Sequence, residues 1–235
     1  MTSRKQFEQF IMRSSSDIDS IMESASQALA RMDYLECEAL CVQALARARA
    51  EANWAYYARI LMPLQESRRQ RRMIAAEGMI RLGTASLNGE PASWLEHMRA
   101  GCIALTSPHT AEHAQIFSTR AQQQRQFVEV LFVDDISTQG WRLCSFTGPM
   151  QRAKVDAPPQ TWQDRWLSDA DRAAASNWFM DACEMLGDGA IRQVKAQSGT
   201  VQRLAELERC LEVVTDHEIL HQRLGDAARA MQSNS

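Results

Sequence analysis

The sequence lacks any long apolar run and any glycine-rich loop. Hydrophobic residues make up 45% of the 235 residues, but no continuously apolar stretch is longer than about ten residues, whereas a membrane helix needs roughly 18. Ten residues are glycine, and they form neither a phosphate-binding loop nor a dinucleotide fingerprint. We therefore expect a folded protein without a membrane span and without a glycine-rich nucleotide site.

A charge excess of one sign is also missing. The chain has 26 basic and 29 acidic residues, for a net charge of −3, so its overall field is too weak to steer it to nucleic acid or to an anionic membrane. No apolar segment of signal-peptide length follows the first residues, and we expect a cytoplasmic location. The cysteines lack C-x-x-C spacing and lie in apolar periodic segments, which predicts reduced, buried thiols. They are Cys37, Cys41, Cys102, Cys144, Cys183 and Cys210.

Helical patterns dominate the first third of the chain. Between 17 and 76 there is no glycine, and apolar residues recur at three- and four-residue spacing. The run Met-Asp-Tyr-Leu-Glu-Cys at 32–37, followed by Ala44 and Leu45, resembles the turn and second helix of a tetratricopeptide (TPR) hairpin, over about 18–60. Cys37 and Ala44 stand where that family has small side chains, which let antiparallel helices approach closely. The resemblance implies a role in protein interaction.

A second long helix starts near Glu51 and carries Pro63, which predicts a kink or a break. Four arginines then fall within five residues, at 68, 69, 71 and 72. They can contact phosphates, but no aromatic residue interleaves with them for base stacking. We expect a solvated helix surface here rather than a nucleic-acid site. Aromatic residues in the same helical section predict a groove for a protein partner: Tyr34, Trp54, Tyr56 and Tyr57.

The middle of the chain changes to an αβ pattern. Strands are predicted at 79–87, 102–106, 127–133 and 141–147. A short helix is predicted at 91–99, and a longer helix is predicted from a cap at Ser107 and Pro108 to about Arg125. This order predicts a small four-stranded mixed sheet. Asp134 and Asp135 directly follow the most apolar strand, which predicts an exposed acidic turn; the alternative is a small-molecule site at the strand ends.

The last third is helical again after a proline-containing segment at 149–160, which predicts a linker. One helix is predicted from Ser168 to a stop at Gly187, and two more at 200–213 and 216–231. The fold class is therefore mixed α and β, dominated by helix. We divide the chain into a TPR-like helical region at 1–77, a small αβ region at 78–148, and a linker with C-terminal helices at 149–235.

One short string carries a named chemistry, the H-E-x-x-H of residues 217–221. On one helix it places His217 and His221 a turn apart, so that both can bind Zn²⁺, with Glu218 as a general base. The extension that supplies a third ligand in zinc proteases is missing, because Leu224 stands at its glycine position and Ala227 at its ligand position. A metal-dependent hydrolase centred on these residues is therefore kept as the alternative function.

A structural interpretation accounts for the same residues. Thr215 and Glu218 form the T-x-x-E capping box, and both histidines fall on an inward apolar stripe of the helix. His109 and His113 are also spaced by four residues. If a metal binds this chain, the two pairs together supply four histidines.

These patterns favour a non-enzymatic protein-interaction or adaptor protein, with no catalytic residue, no cofactor and no membrane partner expected. The two alternatives are the zinc hydrolase and a small-molecule-binding αβ module. The sequence does not identify the partner, the pathway or the oligomeric state.

Overall fold

A computed structural model describes residues 17–83, 95, 96, 98–159 and 169–233. It is a helix-dominated mixed α/β fold, as predicted. The helices are α1 (17–30), α2 (Tyr34–Ala50), α3 (Trp54–Glu77), α4 (Ala111–Gln123), α5 (Asp169–Ile191), α6 (Val201–Leu211) and α7 (Glu218–Ser233). The strands are β1 (Met79–Leu82), β2 (Ala100–Leu105), β3 (Phe127–Ser137), β4 (Gly140–Cys144) and β5 (Arg152–Val155). None of the helices in the described ranges is both long enough and apolar enough to cross a membrane.

The sheet has five strands in the order β1-β2-β3-β4-β5, so the prediction of four strands was wrong. β1, β2 and β3 are parallel, and β3, β4 and β5 are antiparallel. The additional strand, β5, lies in the segment that the sequence predicted to be a linker. Its four residues are Arg-Ala-Lys-Val at the edge of the sheet, where a strand can be polar because only one neighbour and one face contact it.

The two faces of the sheet are covered differently. On one face α4 packs Ala114, Phe117 and Ala121 against apolar side chains of β2 and β3. On the other face α3 and α5 pack against alternate residues of the same strands, such as Cys102 and Leu131. Successive residues of a strand point to opposite faces, so one sheet supports two separate cores.

A third core joins the N-terminal and C-terminal helices. Residues of α1, α2 and the first half of α3 pack with residues of α6 and α7. Small side chains, including Ala25, Cys37 and Ala44, are fully buried there, which allows the helix axes to approach closely. Helix α3 links this core to the sheet, because its residue Ala75 belongs to the core that faces α5.

The turns that join α1 to α2 and α2 to α3 have the same geometry. Met32 and Ala52 adopt left-handed backbone conformations, with φ of 60° and 53°. Each is followed by a residue whose side chain caps the next helix, Asp33 for α2 and Asn53 for α3. The close repetition of this turn makes the first three helices a compact antiparallel array.

Two predicted helix boundaries were wrong, and the break predicted as one alternative at Pro63 is absent. Helix α3 continues through Pro63 without a break. Helix α5 continues past Gly187 to Ile191. Helix α4 begins at Ala111 with Thr110 as its cap, rather than at Ser107 and Pro108. The predicted helix at 91–99 falls mostly outside the described residues, as does the end of the predicted strand at 79–87.

Candidate functional site

The H-E-x-x-H string lies at the start of α7, but the capping box predicted there was wrong. The helix begins at Glu218, so His217 is the residue that precedes it. The His217 Nδ1 accepts a hydrogen bond from the main-chain N–H of Leu220 at 3.2 Å. An imidazole therefore caps α7, in the position that a hydroxyl or carboxylate commonly occupies.

Nδ1 of His217 is hydrogen-bonded, whereas Nε2 lies near two carboxylates without a hydrogen bond to any described residue. Because Nδ1 accepts a hydrogen bond, the proton of the neutral ring resides on Nε2. The Nε2 atom lies 3.2 Å from a Glu184 oxygen and 3.4 Å from an Asp188 oxygen, both on α5. The ring itself is fully buried. His217 therefore has no lone pair directed at an open site, which a zinc ligand requires.

His221 is also buried, and it faces the interior between α7 and α3. Its Nδ1 lies 3.0 Å from the carbonyl oxygen of His217, so Nδ1 carries the proton and donates. Burial lowers the pKa of His221 to about 4, although that hydrogen bond opposes the shift. Glu218 is exposed and accepts a hydrogen bond from Gln222. The structure thus places the two histidines inside and the expected base outside.

The second histidine pair occupies the opposite face of the sheet. His113 belongs to the first turn of α4, where its Nδ1 accepts a hydrogen bond from the main-chain N–H of Thr110 at 3.1 Å. His109 precedes the helix, and its ring lies 5.8 Å from that of His113, measured between centroids. Since α4 and α5 cover different faces, the structure does not bring the two pairs together. Within the described ranges, no three His, Cys, Asp or Glu residues form a group that can hold a metal ion.

The arginine run does not form the solvated surface that was predicted. Arg71 and Arg72 have side chains that are 8% and 4% exposed, and Arg68 is 12% exposed. Only Arg69 points outward, where it pairs with Glu66. Residues at i, i+3 and i+4 share a helix face, so three of the four guanidinium groups enter the interior together.

Carboxylates from distant parts of the chain neutralise these arginines, and we call the set the arginine network. Arg68 and Arg71 both pair with Glu38 of α2, and Arg71 also pairs with Glu129 of β3 at 2.9 Å. Arg72 pairs with Asp216 and lies 3.5 Å from Glu184. The members are Arg68, Arg71, Arg72, Glu38, Glu129, Glu184 and Asp216.

Burial and pairing act against each other in the arginine network. Burial alone would lower the pKa of Arg71, but Glu129 and Glu38 outweigh it and raise that pKa above its ordinary value. Burial would raise the pKa of Glu38, but Arg71 and Arg68 lower it. For Asp216, burial prevails over Arg72, and the pKa rises to about 6. The Arg71 guanidinium therefore stays charged, and the carboxylates keep the network close to neutral.

A cleft of about 310 Å³ opens beside the arginine network. Its floor is the first half of β3, since β4 ends at Cys144, opposite Phe132, and the chain then turns away. Ser118 and Gln122 of α4 line one wall together with Phe146, which follows β4. Arg71 and Arg72 of α3 and Cys183 and Leu186 of α5 line the other wall, and Glu129 of the floor faces that side. We call this opening the β3 cleft.

The edge of β3 that faces the cleft has main-chain groups without strand partners. The N–H of Phe127 donates to Arg99 beside β2, so Phe127 and Glu129 direct their main-chain groups toward β2. Alternation along the strand then directs those of Val128 and Val130 toward the cleft. Among the described residues, none forms a main-chain hydrogen bond with Val128 or Val130 on that side.

Two of the four residues of the predicted aromatic groove are buried, and Tyr34 is half-buried at the start of α2. Trp54 and Tyr57 are 8% and 1% exposed and belong to the helical core. The Tyr57 hydroxyl donates to Glu208 of α6 at 2.7 Å, and the Tyr56 hydroxyl donates to Asp19 of α1 at 2.8 Å. These aromatic side chains connect helices to one another rather than line a groove.

The predicted acidic turn was also wrong. Asp134 and Asp135 lie within β3, which continues to Ser137. Asp134 pairs with Arg142 of β4 and Arg152 of β5, so it links three neighbouring strands. The prediction for the cysteines was confirmed, because all six are free and buried.

The sequence contained one signal for the cleft that we missed. Glu129 is the only charged residue within the apolar run at 127–133, and a charge in the middle of a buried strand generally needs a partner.

Comparison with known proteins gives no information on function: no family model, no curated protein and no solved structure matches the chain.

Proposed function

We propose that the protein is a non-enzymatic protein-interaction module that receives an extended segment of a partner in the β3 cleft. The observation that carries this proposal is the unpaired edge at Val128 and Val130. An extended peptide that lies beside such an edge gains main-chain hydrogen bonds irrespective of its sequence. The walls on both sides supply side-chain contacts, which give the interaction its selectivity.

The dimensions of the site support a single added strand. Neighbouring strands lie about 4.8 Å apart, and the cleft occupies the place where a continuation of β4 would lie beside β3. A TPR-like character of α1 and α2 belongs to the same proposal, supported by the full burial of Cys37 and Ala44 between the helices. We also propose a cytoplasmic location, supported by six free thiols.

Site-specific photocrosslinking tests the proposal. The exposed Gln122, at the rim of the cleft, is replaced by p-benzoylphenylalanine in the full chain, expressed in cells of its source. Gln202, which is exposed on α6, receives the same residue as a matched control. We expect the probe at position 122, and not at 202, to crosslink to a discrete partner protein.

The backbone requirement is tested with two variants of Val130 in the probe-bearing protein. V130P removes the N–H that faces the cleft without removing a bond to β2, because that N–H points away from β2. V130T keeps the N–H and a β-branched side chain of similar size. Loss of the crosslink in V130P and its retention in V130T support strand addition, provided that both variants fold. Equal crosslinking at positions 122 and 202, or equal crosslinking in the two variants, contradicts it.

A small molecule is the second candidate for the same cleft. Its volume of about 310 Å³ is at the lower end of the range of ligand pockets, and polar groups converge on an apolar lining. Native mass spectrometry of protein purified from its source tests this alternative. A bound mass that is present in the natural protein and absent from a Q122W variant, in which an indole plugs the rim, favours the small molecule.

A further inference from the structure

The two walls of the β3 cleft differ in chemistry. Residues directly opposite each other on paired strands place their side chains on the same face. A residue opposite Val128 or Val130 would therefore point toward the apolar α4 side, where both valines pack. A residue between them, opposite Glu129, would point toward α3 and the arginine network.

Glu129 has one carboxylate oxygen available to such a residue. Its Oε1 accepts a hydrogen bond from Arg71 at 2.9 Å, and its Oε2 accepts no hydrogen bond from any residue in the described part of the chain. The side chain is 16% exposed, so a ligand in the cleft can reach it. A hydrogen-bond donor of a ligand placed beside Glu129 can therefore bind to Oε2.

The charges around this point favour a cationic donor. The network contains three guanidinium groups, of Arg68, Arg71 and Arg72. Against them stand the four carboxyl groups of the network, those of Glu38, Glu129, Glu184 and Asp216. Four acidic groups less three basic groups leave an excess of one negative charge, which one added cation neutralises.

We infer that the β3 cleft selects an extended segment with the pattern apolar-basic-apolar. Its Lys or Arg pairs with Glu129, and its two apolar side chains lie over Val128, Val130 and Phe146. Opposite charges on directly facing strand positions stabilise the pair, and a charge excluded from water by the two walls interacts more strongly than one on the surface. This inference rests on the proposed function, since it describes the segment that the cleft receives.

Selection from a random decapeptide library displayed on phage tests the inference. The immobilised full chain serves as bait, and selected sequences are compared with the unselected library. We expect at least a fivefold enrichment of Lys or Arg between two apolar residues. E129Q keeps the shape of the side chain and leaves Arg71 paired with Glu38, and we expect it to lose this enrichment. E112Q, at an exposed position on α4, is the matched control and should retain it.

Each outcome of the selection decides the inference. Enrichment of acidic residues would mean that Arg71 or Arg72, rather than Glu129, binds the central side chain of the segment, and this result overturns the proposal. Enrichment of basic residues that persists in E129Q also overturns it, as does a failure to select any sequence. In these cases a crosslink from position 122 that depends on the Val130 N–H still supports strand addition, so the selectivity and the function can fail separately.

Discussion

Helices α4 and α7 both use a histidine imidazole to satisfy main-chain N–H groups at their first turn, but in different surroundings. His113 assists Thr110 at an exposed helix start. His217 alone caps α7, is fully buried, and also contacts Glu184 and Asp188. Capping bonds of the same type should therefore differ in their effect on stability, because one start is open to water and the other is tied to the arginine network.

The largest expected change in stability distinguishes two arginines of α3, the buried Arg72, which lies beside α7, and the exposed Arg69. R72M should lower the free energy of unfolding by about 3–5 kcal/mol, since it leaves Asp216 buried without its partner. R69M, which removes an exposed pair with Glu66, should change it by less than about 1 kcal/mol. Urea unfolding at pH 7 measures both. A similar loss in the two variants would show that burial of the network does not distinguish the two cations.

A glycine substitution tests how closely α5 approaches the buried cap. A Cβ on Gly187 would overlap the His217 ring, whereas a Cβ on Gly225 of α7 would meet nothing closer than 3.5 Å. G187A should therefore destabilise the protein by about 2–3 kcal/mol through overpacking, and G225A should stabilise it by up to about 1 kcal/mol. Thermal unfolding gives both shifts. Stabilisation by G187A would mean that the His217 ring is free to move.

A fall in pH should lower the stability of the folded protein through protonation of His221. Its pKa of about 4 in the folded protein lies below its ordinary value of 6.5, so the unfolded chain takes up a proton first as the pH falls. Stability is therefore lost between about pH 6.5 and pH 4. Asp216 acts oppositely, because its pKa of about 6 exceeds its ordinary value of 3.8, and its protonation favours the folded state between these two values.

Variants separate the two titrations. Relative to the natural protein, H221L should gain roughly 2–3 kcal/mol of stability on going from pH 7 to pH 4. D216N should show a relative change of the opposite sign over the same range. Urea unfolding at pH 7, 5.5 and 4 measures these differences. Parallel pH profiles for H221L and the natural protein would contradict the assignment to His221.

The smallest expected effect is at the exposed helix start. H113A should cost a few tenths of a kcal/mol, because water replaces the lost acceptor, and H217A should cost about 1–2 kcal/mol, since its cap is buried. Amide hydrogen exchange of the first turns of α4 and α7 localises the effects. If H113A accelerates exchange in α4 as strongly as H217A does in α7, the comparison between the two starts fails.

Periodicity predicted the inward stripe of α7 but not its first residue. Leu220, His221 and Leu224 are buried, as their spacing indicated. The start was misplaced because Thr215 and Glu218 match a common capping pattern, whereas the imidazole of His217 performs the task. His217 could have been either a metal ligand or a helix cap. Its contacts with Leu220 and α5 determine which role it has, and those contacts depend on the tertiary fold.

Burial of the arginines could not be derived from their local pattern. The carboxylates that neutralise Arg71 lie 33 and 58 residues away in sequence, at Glu38 and Glu129. A polar run on a helix is typical of a solvated face when no partners are visible. Strand β5 was missed for a related reason: its polar sequence resembles a loop, and its pairing with β4 depends on a neighbour.

The early end of β4 has a consequence for self-association. Open strand edges commonly serve as templates for aggregation, because the edge of another folded sheet can pair with them. Here the unpaired stretch at Val128 and Val130 lies between side chains of α4 on one side and of α5 on the other. A single unfolded chain fits between these walls, but the edge of an intact sheet carries its own helices and is held away. The protein can therefore keep a strand edge open without offering it to folded copies of itself.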